Sequence, residues 1–527
     1  MRKIIEINAL KKDFKKVDLR FALVYPNHYR AGMSSLAVHL IYELINDRED
    51  SLCERIFMST RPLSVESRQP LSRFDVVGFS LQYETDYLNV LKILKASDIP
   101  LRSADRTRSN PLVIAGGPCV SENPEPIAHF VDVFVVGELE PIFNDLMTTL
   151  VQTEPKSNLE ELAEIKGIYV PSLNPECVER VWAKDLDSTY HSIRQIIPQV
   201  EKDDEYSPAF GKALLVEASR GCCHRCRFCL IGYQCNPYRE RNLSQLAAII
   251  EDGIRSTGVR KIALIGPAIS DYTRLEDLCW QIVNSGLELS IPSLRADHVT
   301  ENMIQALVNG GQKTIALAPE VASTALAESI NKGITKDHVL DSAQTALASG
   351  IKNLKLYFII GLPSETDDDA LQIAYLSKEV ADLGFTKHSV RLSVNPFIPK
   401  PHTPFQWFAQ PPLDILRKRL RIVKTQLKHD SRIEVENLDL KWGRIQTALS
   451  LGDRRLGNVL ESAAMLNGGL GDWRRAFRLH GLRIEDYVNK PRSVDDRLPW
   501  NFIKVADSNL LLREYRKALN YVARSPK

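Results

Sequence analysis

The sequence predicts an α/β protein in which an amino-terminal doubly wound parallel sheet is followed by a partial (β/α)6 barrel and a mostly helical carboxyl-terminal region. Three observations predict it. Short apolar runs alternate with helix-length amphipathic stretches from residue 20 to about 150, and the same alternation resumes near 212. Beyond 405 the apolar spacing becomes largely helical. On this reading residues 1–150 form a Rossmann-type unit, 151–210 a connecting segment, 211–405 the barrel and 406–527 the helical region.

In the first unit, "RFALVYP" (20–26) and "DVVGFSL" (75–81) read as strands, and "SLAVHLIYELIN" (35–46) and "DYLNVLKILKAS" (86–97) as helices. "PLVIAGGP" (111–118) and "DVFVVGE" (132–138) add two strands with glycine at their ends. Ligands of such sheets lie at the carboxyl ends of the strands, which is where these glycines and the "PNHYRAG" loop fall. The segment 151–210 is mixed, with turn residues in "YVPSLNPE" and an acidic knot "EKDDEY". Six further strands follow: "ALLVEASRG", "KIALIG", "LELSIPSLRAD", "KTIALAPE", "LKLYFIIGLP" and "SVRLSVNPF", spaced by helices as in an open parallel barrel. "LDILRKRLRIVKTQLKH" (413–429) has apolar residues at helical spacing.

Composition narrows the class. With 44% hydrophobic and 25% charged residues the chain is of ordinary globular type, and a formal charge of +2 gives no global drive toward nucleic acid. No apolar run is long enough to cross a bilayer, and "MRKIIEINALKKDFKK" lacks the apolar centre of a signal peptide. The expected compartment is a reducing cytoplasm.

Four of the nine cysteines lie within "RGCCHRCRFCLIG" (220–232). A chain of this length buries a core without disulfide staples, so the thiols are expected to hold metal. Cys222, Cys226 and Cys229 follow C-x3-C-x2-C directly after the first barrel strand. Three thiolates can hold a cubane iron–sulfur cluster and leave its fourth iron without a protein ligand. A closed zinc site needs a fourth ligand, and His224 and Cys223 stand too near in sequence to serve easily. Cys223 is read as a small packed bystander.

At these residues the chain resembles the radical S-adenosylmethionine superfamily, whose C-x3-C-x-aromatic-C loop is matched by Cys222, Cys226, Phe228 and Cys229. The resemblance implies a [4Fe–4S] cluster whose open iron is chelated by S-adenosylmethionine. One electron, from a donor such as flavodoxin or ferredoxin, then cleaves the sulfonium to a 5′-deoxyadenosyl radical. It also implies that "GLPSET" (361–366) lies against the adenine, where Gly361 allows close approach of backbone. Ser293, Arg295 and Glu320, at the ends of the third and fourth barrel strands, are the candidates for holding the ribose and the methionine end. Each is equally suited to a rim hydrogen bond or salt bridge.

A doubly wound unit before such a barrel resembles the cobalamin-binding subgroup of the superfamily, and "YPNHYRAGMSSLA", "FDVVGFSLQYETDYLN", "NPEPIAHFVDVFVVGELE" and "NPFIPKPHTPFQW" resemble an uncharacterised branch of it. The resemblance implies that Ser80, Gly116 and Gly117 contact the nucleotide tail of cobalamin. Imidazole ligation of cobalt is not supported. In "PNHYRAG" Pro26 replaces the aspartate of Asp-x-His-x-x-Gly, and Gly32 lies one place late relative to His28.

Cys235 is read as a buried thiol or a hydrogen donor at the active site, and Arg239, Glu240 and Arg241 as a solvated rim or an anion clamp. The basic run 416–424 is read as the exposed face of an amphipathic helix. The expected function is radical cleavage of S-adenosylmethionine for cobalamin-dependent methylation of an unactivated carbon. The alternatives are cobalamin-independent radical coupling or rearrangement on a lipid or tetrapyrrole, and a non-enzymatic metal-binding scaffold. A methylthiotransferase fits less well, because Cys53, Cys119 and Cys177 lack the spacing of a second cluster site.

Overall fold

The computed structural model describes residues 4–152 and 159–524. The amino-terminal sheet contains β1 (Leu19–Tyr25), β2 (Ser51–Phe57), β3 (Val76–Ser80), β4 (Leu112–Gly116), β5 (Val133–Val135) and β6 (Ile168–Tyr169), in the order β2-β1-β3-β4-β5-β6. All pairings are parallel except that of β6 on β5. Both faces of the sheet are covered, so its strands read as continuous apolar runs. In β1, Leu23 and Tyr25 pack toward α1 (Leu36–Asp47), while Ala22 and Val24 pack toward α2 (Tyr87–Ala96) on the opposite face. α3 (Phe143–Gln152) joins the first of these layers through Phe143 and Met147.

The segment 151–210 does more than connect, and its residues 153–158 lie outside the described part. It contributes β6 to the first sheet, pairs Ile197–Pro198 with Glu6–Ile7, and pairs Val178–Glu179 with Ile503–Lys504 near the carboxyl end.

The barrel strands are β7 (Leu214–Glu217), β8 (Lys261–Ile265), β9 (Glu288–Ser290), β10 (Thr314–Glu320), β11 (Asn353–Ile360), β12 (Val390–Pro396) and β13 (Ile433–Glu436). They form a three-stranded and a four-stranded parallel array joined by a bridge between Leu294 and Leu317. Helices α4 (Leu243–Thr257), α5 (Leu275–Asn284), α6 (Glu301–Asn309), α7 (Lys336–Ala348), α8 (Asp367–Asp382) and α9 (Leu413–Leu427) surround them. The parallel array therefore extends past the expected limit at 405. Leu416, Leu420, Val423 and Leu427 of α9 enter the barrel core, and β13 adds a seventh strand in register Val390 with Ile433. At four residues with charge at alternate positions, "IEVE" carries too weak an apolar signal to be read as a strand.

The remaining helices fold back. α10 (Leu440–Ser450), α11 (Leu456–Met465) and α12 (Leu470–Leu479) share one apolar cluster with Val24, Val77 and Val113 of the first sheet. They complete the layer beside α2. α13 (Ser508–Arg524) lies over the loop after β12 and the short helix Thr324–Ser329. Among the described residues no helix is long and apolar enough to cross a membrane.

Candidate active site between the sheet and the barrel

The cysteine loop leaves β7 and is closed at its base by a short antiparallel pairing of Ser219–Arg220 with Arg239–Glu240. Gly221, at φ +80°, is required there, because a Cβ would lie 2.4 Å from the Cys235 carbonyl oxygen and 2.7 Å from that of Pro237. Arg227 is buried and ties the loop outward. Its guanidinium donates to the carbonyls of Glu328 (3.0 Å) and Ser329 (2.7 Å) and pairs with Glu514 of α13 at 3.2 Å.

The thiols of Cys222, Cys226 and Cys229 are near enough to act on one another's ionisation. Burial pushes Cys222 up to about 12 and Cys226 up to about 11, and raises Cys229. Three thiols in one loop, one buried and two half-buried, call for a cation to hold them as thiolates.

The end of β10 faces the same place. Glu320 stands at φ +67°, a left-handed conformation that is strained for a residue with a side chain. It accepts from Lys332 at 3.2 Å, and the Lys332 ammonium lies 5.9 Å from the centre of the Phe228 ring. Burial would lower the Lys332 ammonium, but Glu320 and the nearby thiols outweigh it and hold it above its ordinary value. Arg295 forms a two-point pair with Asp297 (2.7 and 3.1 Å) and acts electrostatically on Cys226. Ser293 is exposed at the same rim.

Gly361 has a packing role beside the expected one. It has φ +88°, and a Cβ would fall 2.5 Å from Leu416 Cδ2 and 3.0 Å from Pro411 Cγ. Its lack of a side chain lets α9 dock against the turn. Glu365 accepts from the amides of Gly361 and Leu362 and pairs with Arg419 of α9 at 2.6 Å, fixing the turn from behind.

Between the strand ends of the first sheet and the base of the cysteine loop lies a cavity of about 900 Å³. One arm is apolar, running between the sheet and α1 and lined by Phe21, Leu23, Leu40, Ile114 and Met147. Ser80, Gly116 and Gly117 line it at the strand ends, and Gly221, Gln234, Cys235 and Gly266 on its barrel side. Gly117 has φ +120°, and a Cβ there would meet the Leu81 carbonyl oxygen at 2.2 Å. Gln234 donates to the Pro118 carbonyl at 2.9 Å across the two units, while its own Oε1 is buried without a hydrogen-bond partner. His28 is exposed and is not part of the cavity lining.

A charged cluster borders the cavity. Arg220 pairs with Glu138 (2.8 Å), Glu140 (2.6 Å) and Glu217 (2.8 Å), and Arg239 pairs with Glu138 at 2.8 Å. Burial would raise Glu138, but the hydrogen bond from Arg239 and the charge of Arg220 hold it low. Arg239 and Arg241 are therefore buried, not a solvated rim; Arg239 lies 5.3 Å from the Trp182 ring centre, and Arg241 donates to backbone carbonyls of the 186–189 turn. Cys235 lines the cavity, and burial raises its thiol to about 11. Lys332, Gln234 and Glu138 carried no signal of spacing that marked them in the sequence.

Residues 37–171 match the family model for the amino-terminal part of radical SAM proteins, and residues 216–376 match that of the radical SAM superfamily. An uncharacterized protein of Methanocaldococcus jannaschii is 34% identical over 444 residues, covering 84% of this chain and 90% of that protein. The chain belongs to the radical SAM superfamily. As a radical SAM enzyme it works with a [4Fe–4S] cluster and S-adenosylmethionine. An uncharacterized methyltransferase of Pyrococcus horikoshii is 25% identical over 65% of this chain and 71% of its own length. Among solved structures, the radical S-adenosylmethionine methyltransferase TsrM of Kitasatospora setae, with cobalamin and a [4Fe–4S] cluster bound, shares the fold. It covers 88% of this chain and 98% of its own at 14% identity, with a TM-score of 0.50.

Proposed function

We propose that this radical SAM enzyme binds cobalamin in the cavity between its two units and methylates an unactivated carbon of a substrate held beside the cluster loop. The observation that carries the reading is the continuity of the cavity, whose walls include both the strand ends of the sheet and the base of the cysteine loop. When bound, the cluster and S-adenosylmethionine would supply a carbon-centred radical and cobalamin the methyl group.

Cys222, Cys226 and Cys229 would hold the cluster. The Glu320–Lys332 pair, Arg295 and Ser293 would face the charged methionine end and the ribose, with Phe228 packed beneath the loop. Ser80, Gly116 and Gly117 would receive the nucleotide tail of cobalamin, with its base in the apolar arm beside α1. The fit rests on this chain's own atoms: a built Cβ at Gly116 meets nothing nearer than Val135 Cβ at 3.7 Å, and the orphan Gln234 Oε1 suits an amide donor of the corrin periphery. A cytoplasmic one-electron donor of flavodoxin or ferredoxin type belongs to the same proposal. The methyltransferase names of two similar proteins favour methyl transfer over other radical steps.

Anaerobic reconstitution followed by cobalamin titration, read by visible absorbance, tests it. Uptake of about one equivalent is expected, and uptake is expected to survive His28→Ala because His28 lies outside the cavity lining. No uptake would remove cobalamin from the reading. Loss of uptake in folded His28→Ala would make that imidazole a cobalt ligand.

A further inference from the structure

Between Cys222 and Cys226 the same loop carries a second set of donors, close to the loop after β8. Cys223 Sγ, a His224 ring nitrogen and an Asp271 carboxylate oxygen lie within 4.8 Å of one another. His224 Nε2 is 2.9 Å from Asp271 Oδ1, and His298 Nδ1 is 2.8 Å from the same oxygen. These residues come from three loops: the cysteine loop after β7, the turn Ile269–Asp271 after β8, and the turn Ala296–His298 after β9.

Asp271 is the anomalous member. Its side chain is only 5% exposed, and its second oxygen, Oδ2, is buried with no hydrogen-bond partner. A buried carboxylate oxygen without a donor is costly, and native proteins rarely leave one so. The neighbouring guanidinium of Arg295 is already engaged by Asp297 through two contacts.

We propose that Cys223, His224, Asp271 and His298 form a binding site for a zinc-type divalent cation, separate from the cluster. One thiolate, one carboxylate and two neutral imidazoles make a four-donor set of borderline softness, which suits zinc and not the oxygen-only preference of magnesium or calcium. The thiolate and the carboxylate together neutralise a dication. Such an ion would staple the cysteine loop to the rim at the ends of β8 and β9, and it gives Cys223 a role other than that of a packed bystander. Ligand atoms in a tetrahedral zinc site are about 3.3–3.8 Å apart, so Cys223, whose sulfur lies within 4.8 Å of the His224 and Asp271 donors, would draw in, while the two imidazoles, now hydrogen-bonded to Asp271 at 2.9 and 2.8 Å, would move slightly apart.

The test is metal retention by the full chain carrying its reconstituted cluster. The protein is incubated anaerobically with one equivalent of Zn²⁺, desalted and analysed for zinc and iron together. The wild type is expected to keep about one zinc alongside the roughly four irons of a cubane. Cys223→Ser, at an exposed position, and Asp271→Asn are each expected to cut zinc retention at least tenfold with iron unchanged. Zinc that is absent from the wild type overturns the proposal. So does zinc kept in full by folded Cys223→Ser, since that ion would be sitting elsewhere or displacing iron from the cluster cysteines.

Discussion

Gly116→Leu probes the cavity at the point where its two contributors meet. Gly116 ends β4 with an ordinary φ, and a built Cβ finds only Val135 Cβ at 3.7 Å and Val135 O at 3.9 Å, both ordinary contacts. Gly116→Ala is therefore expected to fold normally. Leucine adds three more carbons at a position that lines the cavity beside Ser80 and Gly117. Overfilling a formed site costs about 1–3 kcal/mol, and each 1.4 kcal/mol is about tenfold in affinity. Cobalamin affinity is thus expected to fall about fivefold to 150-fold in Gly116→Leu and by less than about twofold in Gly116→Ala. The assay is a visible-absorbance titration of each reconstituted protein, with far-UV circular dichroism to establish that it is folded. A folded leucine variant that binds cobalamin as tightly as the wild type would refute the placement of the ligand at this strand end.

Replacing Cys222, Cys226 and Cys229 together by alanine is expected to abolish the cluster and S-adenosylmethionine cleavage, whereas Cys223→Ala keeps about four irons per chain; electron paramagnetic resonance of the reduced proteins decides it. Gly361→Val places a branched side chain at φ +88° and against Leu416, so a loss of about 2–4 kcal/mol in stability is expected by denaturant titration. S-adenosylmethionine affinity of the folded fraction should stay unchanged, because the added side chain is directed at Leu416, and a stable variant with weakened affinity would show that the side chain reaches the nucleoside. Glu122 is buried at 3.8 Å from Lys400, beside Glu84, and burial raises its carboxyl to about 8. A folded value above the unfolded one means that the folded chain holds a proton the unfolded chain has lost, so stability is full at low pH and falls as pH rises from the ordinary carboxylate range to about 8. Glu122→Gln is expected to flatten that decline in unfolding free energy, and an unaltered slope would assign it to other groups.

Much of this was legible because it is local. The apolar runs from "RFALVYP" to "SVRLSVNPF" are each a strand or contain one, and parallel strands covered on both faces need no partner to be read. The thiol loop was legible for the same reason, since Cys222, Cys226 and Cys229 lie within eight consecutive residues, a spacing that lets one loop wrap a single cluster. β13 was not legible, because "IEVE" is short, charged and meaningful only once β12 is beside it.

The sequence by itself determined the two α/β units, their order, the family and the three cysteines, since periodicity and short motifs are properties of neighbouring residues. Tertiary structure alone decided what meets what. It brought α10–α12 back onto Val24, Val77 and Val113 of the first sheet from more than 300 residues away and buried Arg239 and Arg241. It also filled the space beside Gly361 with Leu416 and set Cys223 and His224 against Asp271 and His298. Each depends on a contact between segments distant in the chain. Such a contact is set by how whole faces pack and leaves no mark on the spacing of the residues that make it.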